Sequence, residues 1–216
     1  QQVTADMYIA EVFYIASILA VMLGVTAVIL IDAGLVQPKN VIDTIVQKLL
    51  CAFIGGTAFM IVGYGIWNWQ FYEAAGTAQP LTTAIKDWWI GGAYFRAYGP
   101  QIDPDAVPQA DLQQLFAAFF FTFGGLIACF LHGAGVERMQ PQASVPMAAI
   151  GSGLILPIVS YLSWGSGSFL TNAGLHDFVG AFSPYLLVGI SSLILAWRLG
   201  PRTKPGPPGN FTLVGL

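Results

Sequence analysis

Between Glu11 and Asp32 the chain runs through about 20 residues without a charge, Val12–Ile31. An α-helix of that length covers roughly 30 Å at 1.5 Å per residue, the thickness of a bilayer's hydrocarbon core. Four more such runs follow, Leu49–Tyr72, Leu112–Val136, Val145–Trp164 and Phe178–Trp197. Lipid offers no partner for backbone N–H and C=O groups, so long apolar runs of this kind form helices rather than open strands. The expectation is an all-α integral membrane protein of five transmembrane helices, near residues 8–31, 49–72, 112–136, 145–164 and 178–197.

Only 9% of the residues are charged and mean hydropathy is +0.68, against about 25% charged in a soluble domain. Basic residues are scattered and the net charge is −3, which excludes a nucleic-acid face. No phosphate-binding loop, zinc-protease helix, cysteine pair or nucleophile elbow occurs, so the sequence does not point to an enzyme.

Charge asymmetry orients the spans. With the N-terminus outside, the inner segments hold Lys39, Lys48, Arg138, Arg198, Arg202 and Lys204, and the outer ones only Lys86 and Arg96. Basic residues concentrate on the cytoplasmic side of membrane proteins. Glu73, Asp87, Asp103, Asp105, Asp111 and Asp177 all fall outside. The opening Gln-Gln-Val, with no Met, is what either a chain trimmed of a leader or one cut from a longer sequence presents; a trimmed leader would put the N-terminus outside. A bacterial inner membrane with the C-terminus in the cytoplasm is the expected location.

The outer loop 73–111 is rich in aromatic residues, which form either an aromatic belt or a docking surface for another protein, and its 82–98 portion is expected to lie as a short helix at the headgroup level. The 198–216 tail, with four prolines and four glycines, is a poor helix former and is expected to be extended unless bound. Cys51 and Cys129 fall inside spans as small packing residues. Of the two histidines, His132 lies inside the third span, where it is either a packing residue bonded to a neighbour or a ligand for a metal or a pigment. The sequence names no cofactor.

Five local strings carry a further signal. The first span runs into Ala33-Gly34-Leu35-Val36-Gln37-Pro38-Lys39-Asn40-Val41, and the second contains Gly63-Tyr64-Gly65. The third reads Ala118-Phe119-Phe120-Phe121-Thr122-Phe123 and closes with Gly135-Val136-Glu137-Arg138. The fourth ends Ser160-Tyr161-Leu162-Ser163-Trp164-Gly165, and Gly174-Leu175-His176-Asp177-Phe178-Val179-Gly180 introduces the fifth. In this order and spacing they resemble the first half of the ammonium transporter/Rhesus family, over nearly all of residues 7–202.

That resemblance implies roles by position. Phe119 and Phe123 match the outer gate phenylalanines, and Trp164 matches a tryptophan that attracts the cation. Asp177 matches the aspartate that organises the outer vestibule, although the stretch from Trp164 to it is one residue longer here. Each has a plain structural use as well: phenylalanines four apart form a packing ridge, and aspartate stabilises a helix N-terminus.

Two departures separate the chain from the family pattern. Tyr185 stands eight residues after Asp177, where the family places the first of two pore histidines. A phenol with a pKa near 10 does not exchange protons at neutral pH as imidazole does. The family is also built from two inverted five-span repeats, and the strings here match the first; the second histidine, the second gate phenylalanine and the outer-site serine have no counterpart. The expectation is therefore an ammonium-transporter-like protein, a degenerate half-transporter acting as an accessory or assembly subunit with other membrane subunits. The alternative is passage of ammonium or ammonia as one half of a two-chain transporter, and a third reading, a cofactor-binding subunit using His132, has least behind it.

Overall fold

A computed structural model describes residues 5–89, 92, 110–178, 180–201 and 215. It contains five helices long and apolar enough to cross a membrane, and among the described residues no strand. The protein is an all-α integral membrane protein. Below, inner and outer name the bundle's two ends as the charge pattern assigns them.

The first span is α1 (Ala5–Leu35), unbroken because no proline or glycine pair interrupts it until Pro38. A single 3-10 turn, Pro38–Asn40, reverses the chain at the inner end. The second span climbs outward through α2 (Val41–Ala58), a π-helical turn at Phe59–Gly63, and α3 (Tyr64–Trp67); α4 (Trp69–Ala74) continues it. It starts near the inner turn rather than at Leu49, so Asp43 and Lys48 are helical residues. Outside, α5 (Pro80–Trp88) begins on a proline, whose missing N–H costs nothing at a first helical position. It covers the start of the expected 82–98 helix; residues 90, 91 and 93–109 lie outside the described part.

The third span is α6 (Ala110–Gly133). The fourth combines α7 (Pro141–Ile150), a π-turn at Gly151–Ile155 and α8 (Leu156–Trp164), with α9 (Phe169–Asn172) beyond it. The fifth opens on a third π-turn, Ala181–Leu186, and continues as α10 (Leu187–Leu199). Of the tail, only Arg198–Pro201 and Gly215 are described, and Gly215 packs against Ala27 and Ile31 of α1.

Spans two, three and four form the centre, each with 44% of its core window buried, while spans one and five have 6% and 11%. Glycines let the central helices approach: a Cβ at Gly56 would stand 2.6 Å from the Phe121 carbonyl oxygen, and one at Gly125 2.8 Å from that of Ala52. Small residues substitute for hydrophobic driving force in lipid by permitting this close van der Waals contact. The π-turns of spans two and four lie against each other, with Gly63 meeting the Gly153 carbonyl. Such turns shift the helix register by one residue and recur at functional sites.

At the inner end two of the sequence strings meet. Glu137, at φ 65°, turns its carboxylate to accept hydrogen bonds from Gln37 N–H at 2.7 Å and the Asn40 side-chain amide at 3.0 Å. Arg138 next to it donates to the carbonyl of Gly200, at the foot of the fifth span. Residues distant in sequence thus close three connections together.

Candidate functional site

The outer half of α6 presents phenylalanines on one side, as their spacing dictates. Phe119 and Phe123 stack with ring centroids 5.9 Å apart and planes 13° from parallel. Phe120, buried, faces inward and stacks on Phe59 at 5.1 Å. Trp67 leans over Phe120 at 5.2 Å and meets Trp164 edge-on at 6.1 Å. One continuous aromatic column therefore runs from the π-turn of the second span to the outer end of the fourth.

Trp164 is anchored by its polar edge. Its Nε1–H donates to the Asp177 carbonyl oxygen at 2.8 Å. The Asp177 carboxylate in turn accepts the Ser183 backbone N–H at 3.0 Å, capping the π-turn that opens the fifth span. Gly180 sits between them at φ 73°, where a Cβ would stand 2.8 Å from the Pro184 ring. Only glycine is free of strain there. Inside the turn, the Ser160 and Ser183 hydroxyls form a buried pair 2.8 Å apart that joins spans four and five.

Tyr185 lies within this π-turn, its N–H bonded to the Gly180 carbonyl at 3.2 Å, and is 57% exposed. Among the described residues no ring contact joins it to Phe119, Phe123 or Trp164. The structure thus brings Trp164 to Asp177 and Phe119 to Phe123, with Trp67 and Phe120 between the two pairs, and leaves Tyr185 facing out of the bundle. Trp67 and Phe120 were not singled out by sequence reasoning. The signal was available in Trp67, two residues beyond Gly65 at the outer end of an apolar run.

His132 sits at the other end, 2% exposed. Its Nε2 is 3.3 Å from Gln47 Oε1, an oxygen that also accepts from the Ser144 hydroxyl at 3.3 Å. An amide oxygen only accepts, so the bond places an imidazole proton on Nε2, while Nδ1 is buried with no hydrogen-bond partner among the described residues. Gln47 continues to Asp43 through its amide N–H, at 2.8 Å. Close by, Lys48 is fully buried and ion-paired with Asp32. Its sequence reading as one more basic residue of an inner loop is corrected: it packs between helices. Among the described residues no group of three or more His, Cys, Asp or Glu could hold a metal ion. Cys51 and Cys129 are free and buried, their sulfurs directed at the Ser144 and Lys48 carbonyls.

Comparison with known proteins places these features in a family setting. The model of the Ammonium Transporter Family matches residues 12–212. A putative ammonium transporter of Methanothermobacter thermautotrophicus is 29% identical over 87% of this chain and 43% of its own length. Ammonium transporter Amt2 of Haloferax mediterranei is 30% identical over 86% of this chain and 40% of its own length. The ammonium transporter of Bacillus subtilis is 27% identical over 88% of the chain and 44% of its own length. The chain spans less than half the length of these curated relatives. No solved structure matches.

Proposed function

Because this chain belongs to the ammonium transporter family, we propose that its five-span unit retains the family's outer aromatic architecture but has lost histidine-based proton handling, and that it serves as an accessory subunit in a larger membrane complex. The observation that carries this reading is Tyr185. It occupies the position of the first pore histidine by resemblance, within a π-turn, and is 57% exposed. A phenol neither accepts nor releases a proton readily near neutral pH. The work left to the fold is then packing and association. Spans one and five, with most of their apolar surface outside this bundle, supply faces for other membrane helices. The reading is of a non-enzyme in a bacterial inner membrane, N-terminus outside.

A second reading, passage of ammonium or ammonia with further spans supplying the facing wall, draws on the retained outer elements. Phe119, Phe123, Trp164 and Asp177 are the residues that would meet the cation, and the Trp164 ring is held in place through its bond to Asp177. Two features weigh against it: the phenol at position 185, and Trp67 packed edge-on to Trp164.

Purification in mild detergent followed by native mass spectrometry tests the proposal. The expected species contains this chain together with different subunits. A stable, homogeneous species of this chain alone would contradict it.

A further inference from the structure

At the outer end, between α4, α5 and the start of α6, lies a cavity of about 350 Å³ whose described lining includes Asn68, Phe71, Tyr72, Trp88, Gln113 and Phe116. It is separate from the Phe119–Phe123 and Trp164–Asp177 pairs. Its volume is at the lower end of the range for organic ligands, and roughly ten times the share of one water molecule. An ammonium ion, close to water in size, would leave most of it empty.

The chemistry of the wall is selective. Among the described residues that line it, four are aromatic, two are amides and none is charged. The carboxylate of Asp87 lies one hydrogen bond behind it, accepting from the Tyr72 hydroxyl at 2.8 Å. Trp88, the next residue, is fixed edge-on to Tyr64 at 5.2 Å. The adjacent cation, Lys86, is exposed. Aromatic rings carry negative potential on their faces, and several rings around one space with a carboxylate nearby suit a bulky, weakly hydrated cation. An anion would gain nothing from such a wall, and a neutral molecule would gain nothing from the Asp87 carboxylate behind it.

We propose that this cavity binds an alkylated ammonium group of trimethylammonium size, carried either by a free amine or by a choline lipid headgroup. The inference is independent of whether the chain conducts ammonium, since the cavity shares no residue with the gate positions.

Tetramethylammonium is the probe. Calorimetric titration of the full chain in mild detergent, at constant ionic strength, is expected to give saturable binding that an equal concentration of ammonium chloride does not compete away. Trp88→Leu should weaken it by about tenfold, the size of one desolvated cation–π contact. Phe71→Leu, at a half-exposed position, and Asp87→Asn should each weaken it as well, and they guard against a Trp88 variant that fails to fold. Nanodiscs separate the two sources. Weaker apparent affinity in phosphatidylcholine than in phosphatidylethanolamine identifies the lipid headgroup as competitor, and equal affinity identifies a free amine. No saturable binding by the wild-type chain would overturn the proposal. So would Phe71→Leu and Asp87→Asn that both bind as wild type, or competition by ammonium as strong as that by tetramethylammonium.

Discussion

Lys48 forms an ion pair with Asp32 and donates a hydrogen bond of 2.6 Å to the Cys129 carbonyl, so one side chain ties the first, second and third spans together. The Lys48 side chain is fully buried and that of Asp32 is 17% exposed. Gly133 borders the pair: a Cβ there would stand 3.5 Å from Asp32 and 3.6 Å from Lys48, in ordinary contact with both. Charges at such depth are tolerated only when paired, and removing one partner strands the other.

Lys48→Met and Asp32→Asn should therefore each destabilise the bundle by about 3 kcal/mol, while the double variant should lose clearly less than the sum. Unfolding in mixed micelles, followed by circular dichroism, reads this out. Additive losses would show that the two charges do not act as a pair.

The glycines divide into those that pack this bundle and those left open. Gly56 lies against the Phe121 backbone, and Gly55 and Gly63 are likewise filled by Ala128 and Gly153, whereas nothing stands within 4 Å of a Cβ at Gly189. Gly56→Ala should cost about 1–3 kcal/mol through overpacking. Gly189→Ala should be neutral or stabilising by up to about 1 kcal/mol, from helix propensity alone. The same micelle unfolding measures both, and equal losses would contradict the helix packing described.

The five spans were legible because lipid imposes one rule on the whole chain: each apolar run of about 20 residues must be helical. Their inner boundaries were harder to read. The sequence expectation began the second span after Lys48, because a lysine ordinarily marks the end of a hydrophobic run. Here Asp32 neutralises it, and the helix extends inward to Val41. Gly55, Gly56 and Gly63 carry no local sign of which neighbour they meet, and the structure packs all three inside the bundle. At the outer end, spacing alone paired Phe119 with Phe123. The link from Phe120 through Trp67 to Trp164 joins three spans, and no local pattern encodes it. The π-turns were invisible for a related reason: they change the register by one residue without altering composition.

Asp177 acts through its side chain on Ser183 and through its backbone on Trp164. Asp177→Ala should thus cost about 1 kcal/mol, the usual value of a lost N-terminal cap, while leaving the Trp164 bond in place. Asp177→Asn keeps an oxygen acceptor and should retain most of that stability. Micelle unfolding with tryptophan fluorescence distinguishes the two effects; an Asn variant as damaged as the Ala variant would contradict a capping role.

The expected orientation rests on a basic bias in the sequence; among the described residues Lys39, Arg138 and Arg198 lie at one end of the bundle and Lys86 at the other. Lys39 and Lys86 are both exposed and lie at opposite ends. With the buried Cys51 and Cys129 changed to serine, an impermeant maleimide applied to intact cells should label Lys86→Cys and spare Lys39→Cys. The reverse pattern would invert the topology.

The central claim is that the fold persists without the proton chemistry of the pore histidine. Methylammonium uptake into liposomes holding the purified chain tests it most directly, alongside Tyr185→His in identical vesicles. The account predicts no uptake above empty liposomes for either protein, because within residues 1–216 neither His132 nor His176 matches the family's second pore histidine, and Tyr185→His supplies one imidazole alone. Saturable uptake by the wild-type chain would contradict it.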